Sequence, residues 1–97
     1  MQLHTGKSGE YKRRHDNLWP ELSKLLSTSG ITDYSIFLDE ETSTLFAVLK
    51  AEDQPVLDRL PDHPLMQKWW AYMGDIMETN PDQSPRTWPL KEVFHLP

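Results

Sequence analysis

The chain has 97 residues, a formal net charge of −5 from 15 Asp and Glu against 10 Lys and Arg, and no cysteine. That length suits one domain over residues 1–97, of a size that buries about 60–65 % of its unfolded surface and gains from joining a partner. The acidic balance excludes general binding to nucleic-acid phosphates, and the missing cysteines exclude a disulfide framework or a thiolate metal site. No apolar run approaches the ~20 residues that span a bilayer, and no signal-peptide core is apparent. The expectation is a soluble cytoplasmic protein with no membrane or nucleic-acid partner.

Residues 1–4 suit an edge strand, and Ser8 is a candidate N-cap for the helix that follows. That helix, GEYKRRHDNLWPELSKLL over residues 9–26, organises the chain. At about 100° per residue, Tyr11, His15, Leu18, Leu22 and Leu26 fall within a stripe about 80° wide. Two polar rings thus occupy places where a simple core would put aliphatic residues, and an ionisable group facing inward needs a partner or a purpose. Pro20 is expected to kink the helix, and Gly30 to end it.

ITDYSIFLD alternates, with Tyr34, Ile36 and Leu38 on one face and Asp33, Ser35, Phe37 and Asp39 on the other. A polar turn at residues 40–43 leads into TLFAVLK, apolar on both faces, so the pair reads as a β-hairpin whose second strand lies well inside a sheet. A short helix follows over 52–60, then a stronger one over 64–77, with Leu65, Met66, Trp69, Trp70, Met73, Ile76 and Met77 as a wide apolar stripe. NPDQSPRTWP holds three prolines and reads as turn and extended chain. Residues 90–96 suit a final strand. The order β-α-β-β-α-β predicts a ferredoxin-like α+β sandwich with helices over one sheet face.

His15 is the candidate for chemistry, because imidazole alone changes charge near neutral pH without large perturbation. The alternative is a helix histidine bonded to a carbonyl. Tyr11 and Tyr34 can pack by their rings and present hydroxyls to a polar ligand. Trp69 and Trp70 read either as core or as platforms for the apolar C–H face of a sugar. His4, His15, His63 and His95 show no metal-ligand spacing, and the glycines are too few for a phosphate loop. Glu10, Asp33 and Asp39 could assist a base, although solvated carboxylates are the simpler reading in so acidic a chain.

The run EYKRRHDNLWPEL, with DYSIFLD, QKWWAYMGDIM, NPDQSP and EVFHLP, resembles the L-rhamnose mutarotases in order over nearly the whole chain. Members of that family carry several more residues ahead of MQLH. The first strand is therefore expected to be shortened, or the start to lie upstream. The resemblance implies interconversion of the α and β anomers of free L-rhamnose by acid–base ring opening and reclosure, with no metal, nucleotide or covalent intermediate. It assigns His15 as proton donor and Tyr11, Tyr34, Trp69 and Trp70 as substrate-binding residues. It also implies a homodimer of the dimeric α/β-barrel type. The same fold serves monooxygenases and non-catalytic sugar-binding modules, so the fold alone does not choose among them.

Overall fold

The computed structural model describes all 97 residues. The helix expected over 9–26 is in fact two, α1 (Ser8–Asp16) and α2 (Pro20–Thr28). Pro20 has no N–H to donate to the carbonyl of Asp16, so it opens a second helix as its first residue instead of kinking one. Ser8 is not the cap of α1: Lys7 holds that position and makes no side-chain cap bond. Gly30 does end α2, at φ +83 in the left-handed region, its N–H bonded to the Ser27 carbonyl at 3.1 Å.

The hairpin is β1 (Ile31–Asp39) paired antiparallel with β2 (Thr44–Ala51), Phe37 opposite Phe46 and Leu38 opposite Leu45. Near its start β1 carries a bulge. Pairing runs from Thr32 opposite Lys50 to Ser35 opposite Val48, so Asp33 and Tyr34 together face one residue, Leu49. Asp33 takes φ 49 there. The extra residue resets the pleat, and Ile31 before it and Tyr34, Ile36 and Leu38 after it all turn toward the helices.

Two short segments complete the sheet. Met1 and Leu45 exchange bonds of 2.9 and 2.8 Å, and the Leu3 N–H bonds the Ser43 carbonyl at 2.9 Å. On the other side of this segment, the His4 N–H bonds Ile76 and the Glu78 N–H bonds Gln2, both at 2.9 Å. The order across the sheet is β1, β2, residues 1–4, residues 76–78, as in a ferredoxin-like fold.

The last strand is therefore not the one expected. Residues 90–96 form no strand, and residues 87–97 make no backbone hydrogen bond. After α3 (Gln54–Arg59) and a 3₁₀ turn at Leu60–Asp62, α4 (Pro64–Met73) stops four residues short of the expected end. Gly74 follows, Asp75 is drawn to Arg14, and Ile76 and Met77 become sheet residues beside residues 1–4. Both stay buried, so the apolar stripe survives the change of backbone.

Leu22, Met73 and Ile76 are the most deeply buried side chains, packed with Leu3, Leu45, Trp69 and Met77 between helices and sheet. Burying each such side chain contributes about 1.5–3 kcal/mol. The other sheet face is open: Phe37 and Val48 are each 60 % exposed and Phe46 40 %. No helix is long and apolar enough to cross a membrane.

Candidate active site

A cavity of about 700 Å³ opens between the α1–α2 pair and the inner face of the hairpin, within the size range of small-molecule sites. Tyr11, His15, Leu18, Leu22 and Leu26, the stripe read from the sequence, all line it. Ile31, Tyr34, Ile36 and Leu38 supply the sheet wall, and Met66 and Trp69 enter from α4. The cavity is apolar over much of its wall, with ring hydroxyls and one imidazole among the polar groups.

His15 is held on three sides. Its ring stacks on Tyr11 with centroids 4.3 Å apart and planes 26° from parallel. Trp69 meets it edge-on at 5.4 Å and 88°. Its Nδ1 lies 3.1 Å from the backbone carbonyl of Tyr11. A carbonyl oxygen can only accept, so Nδ1 carries the proton and Nε2 of the neutral ring keeps its lone pair. Burial pushes the His15 pKa below its ordinary value, against smaller opposing effects of the Tyr11 carbonyl and Asp16. At neutral pH the resting ring is uncharged.

Tyr11 is buried, and desolvation, helped by the nearby Tyr34 phenol, raises its pKa well above the ordinary phenol range. Tyr34 remains 44 % exposed as a residue, yet enough protein surrounds its hydroxyl end for desolvation to raise its pKa as well. Both hydroxyls therefore stay protonated, and neither has a hydrogen-bond partner within the protein. The bulge at Asp33 aims Tyr34 inward. Straight alternation from Ile31 would put position 34 on the other face.

Arg14, almost fully buried, fixes how α1 presents these rings. Its Nη1 and Nη2 donate to Asp75 Oδ1 and Oδ2 at 2.8 and 3.2 Å, and Nη1 also donates to the Tyr72 carbonyl at 2.8 Å. Its Nε donates to Glu10 Oε1 at 2.9 Å, and the guanidinium lies 4.5 Å from the Tyr72 ring centre. These bonds hold the guanidinium charged and the Asp75 carboxyl below its usual range, while Arg13 first and Arg14 second hold Glu10 down to about 2. α1 is thereby tied to the end of α4, with the adjacent face bearing Tyr11 and His15 turned to the cavity.

Four of the five residues singled out in the sequence meet here: Tyr11, His15, Tyr34 and Trp69. Trp70 does not line the cavity; it is half-buried against the core from another side of α4. Of the carboxylates considered as helpers, Glu10 is occupied by Arg13 and Arg14, and Asp39 accepts from the Glu41 N–H at 3.1 Å. Asp33 lines the cavity but is exposed and pairs with Lys50 at 3.3 Å. Sequence reasoning missed Trp19, whose ring meets Trp69 edge-on at 5.0 Å and Tyr72 at 5.6 Å. Its place just before Pro20, where the chain must turn, was the available signal. It read Met66, one turn before Trp69 and Trp70, only as part of the apolar stripe, whereas Met66 lines the cavity.

The L-rhamnose mutarotase family model matches residues 1–96. An L-rhamnose mutarotase of Flavobacterium johnsoniae is 62 % identical over 99 % of this chain and 90 % of its own length. That of Brucella anthropi is 57 % identical over 100 % and 92 %. The crystal structure of L-rhamnose mutarotase from Formosa agariphila superposes with a TM-score of 0.91 at 48 % identity, covering 100 % of this chain and 93 % of that one. A full-length match of sequence and fold, with the same imidazole and phenols of EYKRRHDNLWPEL and DYSIFLD gathered in one cavity, places this chain in the L-rhamnose mutarotase family.

Proposed function

We propose that the protein interconverts the α and β anomers of free L-rhamnose, with His15 as the group that moves the proton. The observation that carries the chemistry is the 3.1 Å bond from His15 Nδ1 to the Tyr11 carbonyl, which frees Nε2 as a base. In the forward step Nε2 takes the proton of the anomeric hydroxyl. The O–H electrons form the C1 carbonyl, the bond from C1 to the ring oxygen breaks, and its electrons go to that oxygen. The imidazolium returns the same proton to the ring oxygen. The two oxygens share C1, so one imidazole serves both, and His15 is the proton donor of the second transfer.

Rotation about the C1–C2 bond turns the other carbonyl face toward the ring hydroxyl, and the transfers run backward to the opposite anomer. The open aldehyde needs no metal or nucleotide. Tyr11 and Tyr34, kept protonated, offer hydrogen bonds to sugar oxygens, and Trp69 offers its indole to the C–H face. Trp70 serves behind it in packing. We include in this reading a cytoplasmic location and a homodimer formed through the open face bearing Phe37 and Phe46. A lone copy would otherwise expose that apolar surface.

Saturation-transfer NMR of the two anomeric protons tests the activity. Added protein should raise the exchange rate in proportion to its concentration. A rate unchanged from sugar alone would leave a sugar-binding module as the reading.

A further inference from the structure

Trp69 has two perpendicular neighbours, His15 at 5.4 Å and 88° and Trp19 at 5.0 Å and 87°. Trp69 and His15 line the cavity, and Trp19 does not. Tyr72 closes a triangle of rings, 5.6 Å from both indoles, and it too lies outside the cavity. Contacts between rings are directional, so each fixes the tilt of its neighbour as well as its distance.

The two outer members of the triangle are themselves held. Trp19 precedes Pro20, whose ring keeps the backbone before it out of the helical region, and it sits at φ −57 and ψ 129. Its carbonyl accepts the Ser23 N–H at 3.0 Å, which fastens it to the first turn of α2. Tyr72 meets the Arg14 guanidinium at 4.5 Å, and that guanidinium is bonded to Glu10 and Asp75. An indole turns about two side-chain bonds, and these two rings limit both turns in Trp69.

His15 needs such a support. It is the last residue but one of α1, where helix ends fray. Two of its contacts, the stacked ring and the carbonyl, come from Tyr11 in the same helix. Trp69 is the contact that another element brings.

We propose that Trp19 is a positioning residue for the anomer exchange: packed against Trp69 from outside the cavity, it fixes the ring that His15 rests on and keeps Nε2 aimed at the sugar. The inference rests on the reading of His15 as the group that moves the proton. Errors of aim are costly in proton transfer, because donor and acceptor must meet within hydrogen-bond reach and in line. Since Trp19 does not line the cavity, its loss should appear in turnover more than in affinity.

Trp19→Leu and Trp19→Phe, compared with wild type by saturation-transfer NMR over a range of L-rhamnose concentrations, test it. Leu60→Ala is the control, because Leu60 is buried outside the cavity and its loss only destabilises. Trp19→Leu should lower kcat about tenfold or more and change KM by less than about threefold. The ring-proton resonances of His15 should move in that variant toward those of free histidine, as Trp69 loses its fixed angle. Trp19→Phe keeps a ring against Trp69 and should recover most of the rate and of the resonance position. Leu60→Ala should keep both. If Trp19→Leu does not fold, Tyr72→Leu, at the 41 % exposed corner of the triangle, takes its place with the same expectations. A folded variant with wild-type kcat, with its loss in KM, or with a lowered kcat and unmoved His15 resonances overturns the role of Trp19. Wild-type protein that leaves exchange at the spontaneous rate overturns the proposed activity instead, and the resonances then still decide whether Trp19 holds His15.

Discussion

The Tyr11 and His15 rings lie face to face at 4.3 Å, and the Tyr11 carbonyl accepts the His15 Nδ1 proton at 3.1 Å. One turn of α1 thus sets both the orientation of the imidazole and its tautomer. A stacked ring with one nitrogen occupied presents only Nε2 to a ligand.

The pH dependence follows from that tautomer. Burial lowers the His15 pKa, so the base form predominates at neutral pH. The protein-dependent exchange rate should rise with pH to a midpoint below about 6.5, then stay level through neutrality. The raised Tyr11 pKa puts any alkaline decline above about 10. A rate that fell as the imidazole lost its proton would mean that the reaction begins with His15 as acid.

Tyr11→Phe keeps the ring that stacks on His15 and removes only the hydroxyl. One hydrogen bond to the reacting sugar corresponds to about 1–1.5 kcal/mol, or roughly a tenfold loss in kcat/KM. Full activity in this variant would leave Tyr11 as packing alone.

The two adjacent tryptophans should separate cleanly. Trp69→Leu removes a ring that is 5 % exposed and borders both the cavity and His15, so it should destabilise by about 2–4 kcal/mol and weaken rhamnose binding. Trp70→Leu should leave rhamnose affinity within about twofold, as read by calorimetric titration. Equal loss of affinity in both would place the sugar against a different face of α4.

Arg14 gives the fold an acid-sensitive joint. Glu10 and Asp75 have folded pKa values below their unfolded ones, so their stabilisation is present above about 4.5 and lost as pH falls further. His15 acts in the same direction at higher pH. The unfolded ring takes up a proton near 6.5 while the buried ring resists, so stability begins to fall below that pH. Arg14→Met should lower stability at pH 7 by removing the bonds that the buried guanidinium makes to Asp75, Glu10 and the Tyr72 carbonyl, and should flatten the lower part of the acid profile. Denaturant melts across pH check both.

The site was legible because its residues lie on regular periodicities: Tyr11 and His15 on a helical stripe, and Tyr34 with Ile36 and Leu38 on a strand face. The strand period survived the bulge because the extra residue comes before Tyr34. What sequence could not give was set by long-range partners. Arg14 reads as one of a solvated basic trio until Asp75 and the Tyr72 carbonyl are placed beside it. The end of α4 moved for the same reason, since Ile76 and Met77 suit a helix stripe and a sheet row equally. Residues 90–96 carry a strand pattern that this copy alone does not pair.

The account rests most directly on His15, and anomer exchange in His15→Ala is the measurement that bears on it. By saturation-transfer NMR, the variant should fold and still bind L-rhamnose but exchange its anomers roughly 100- to 10,000-fold more slowly than wild type, down to the spontaneous floor. Added imidazole should restore part of the rate. A folded His15→Ala protein exchanging anomers at the wild-type rate would contradict the assignment and move the proton transfer to another group in the cavity, Tyr11 first.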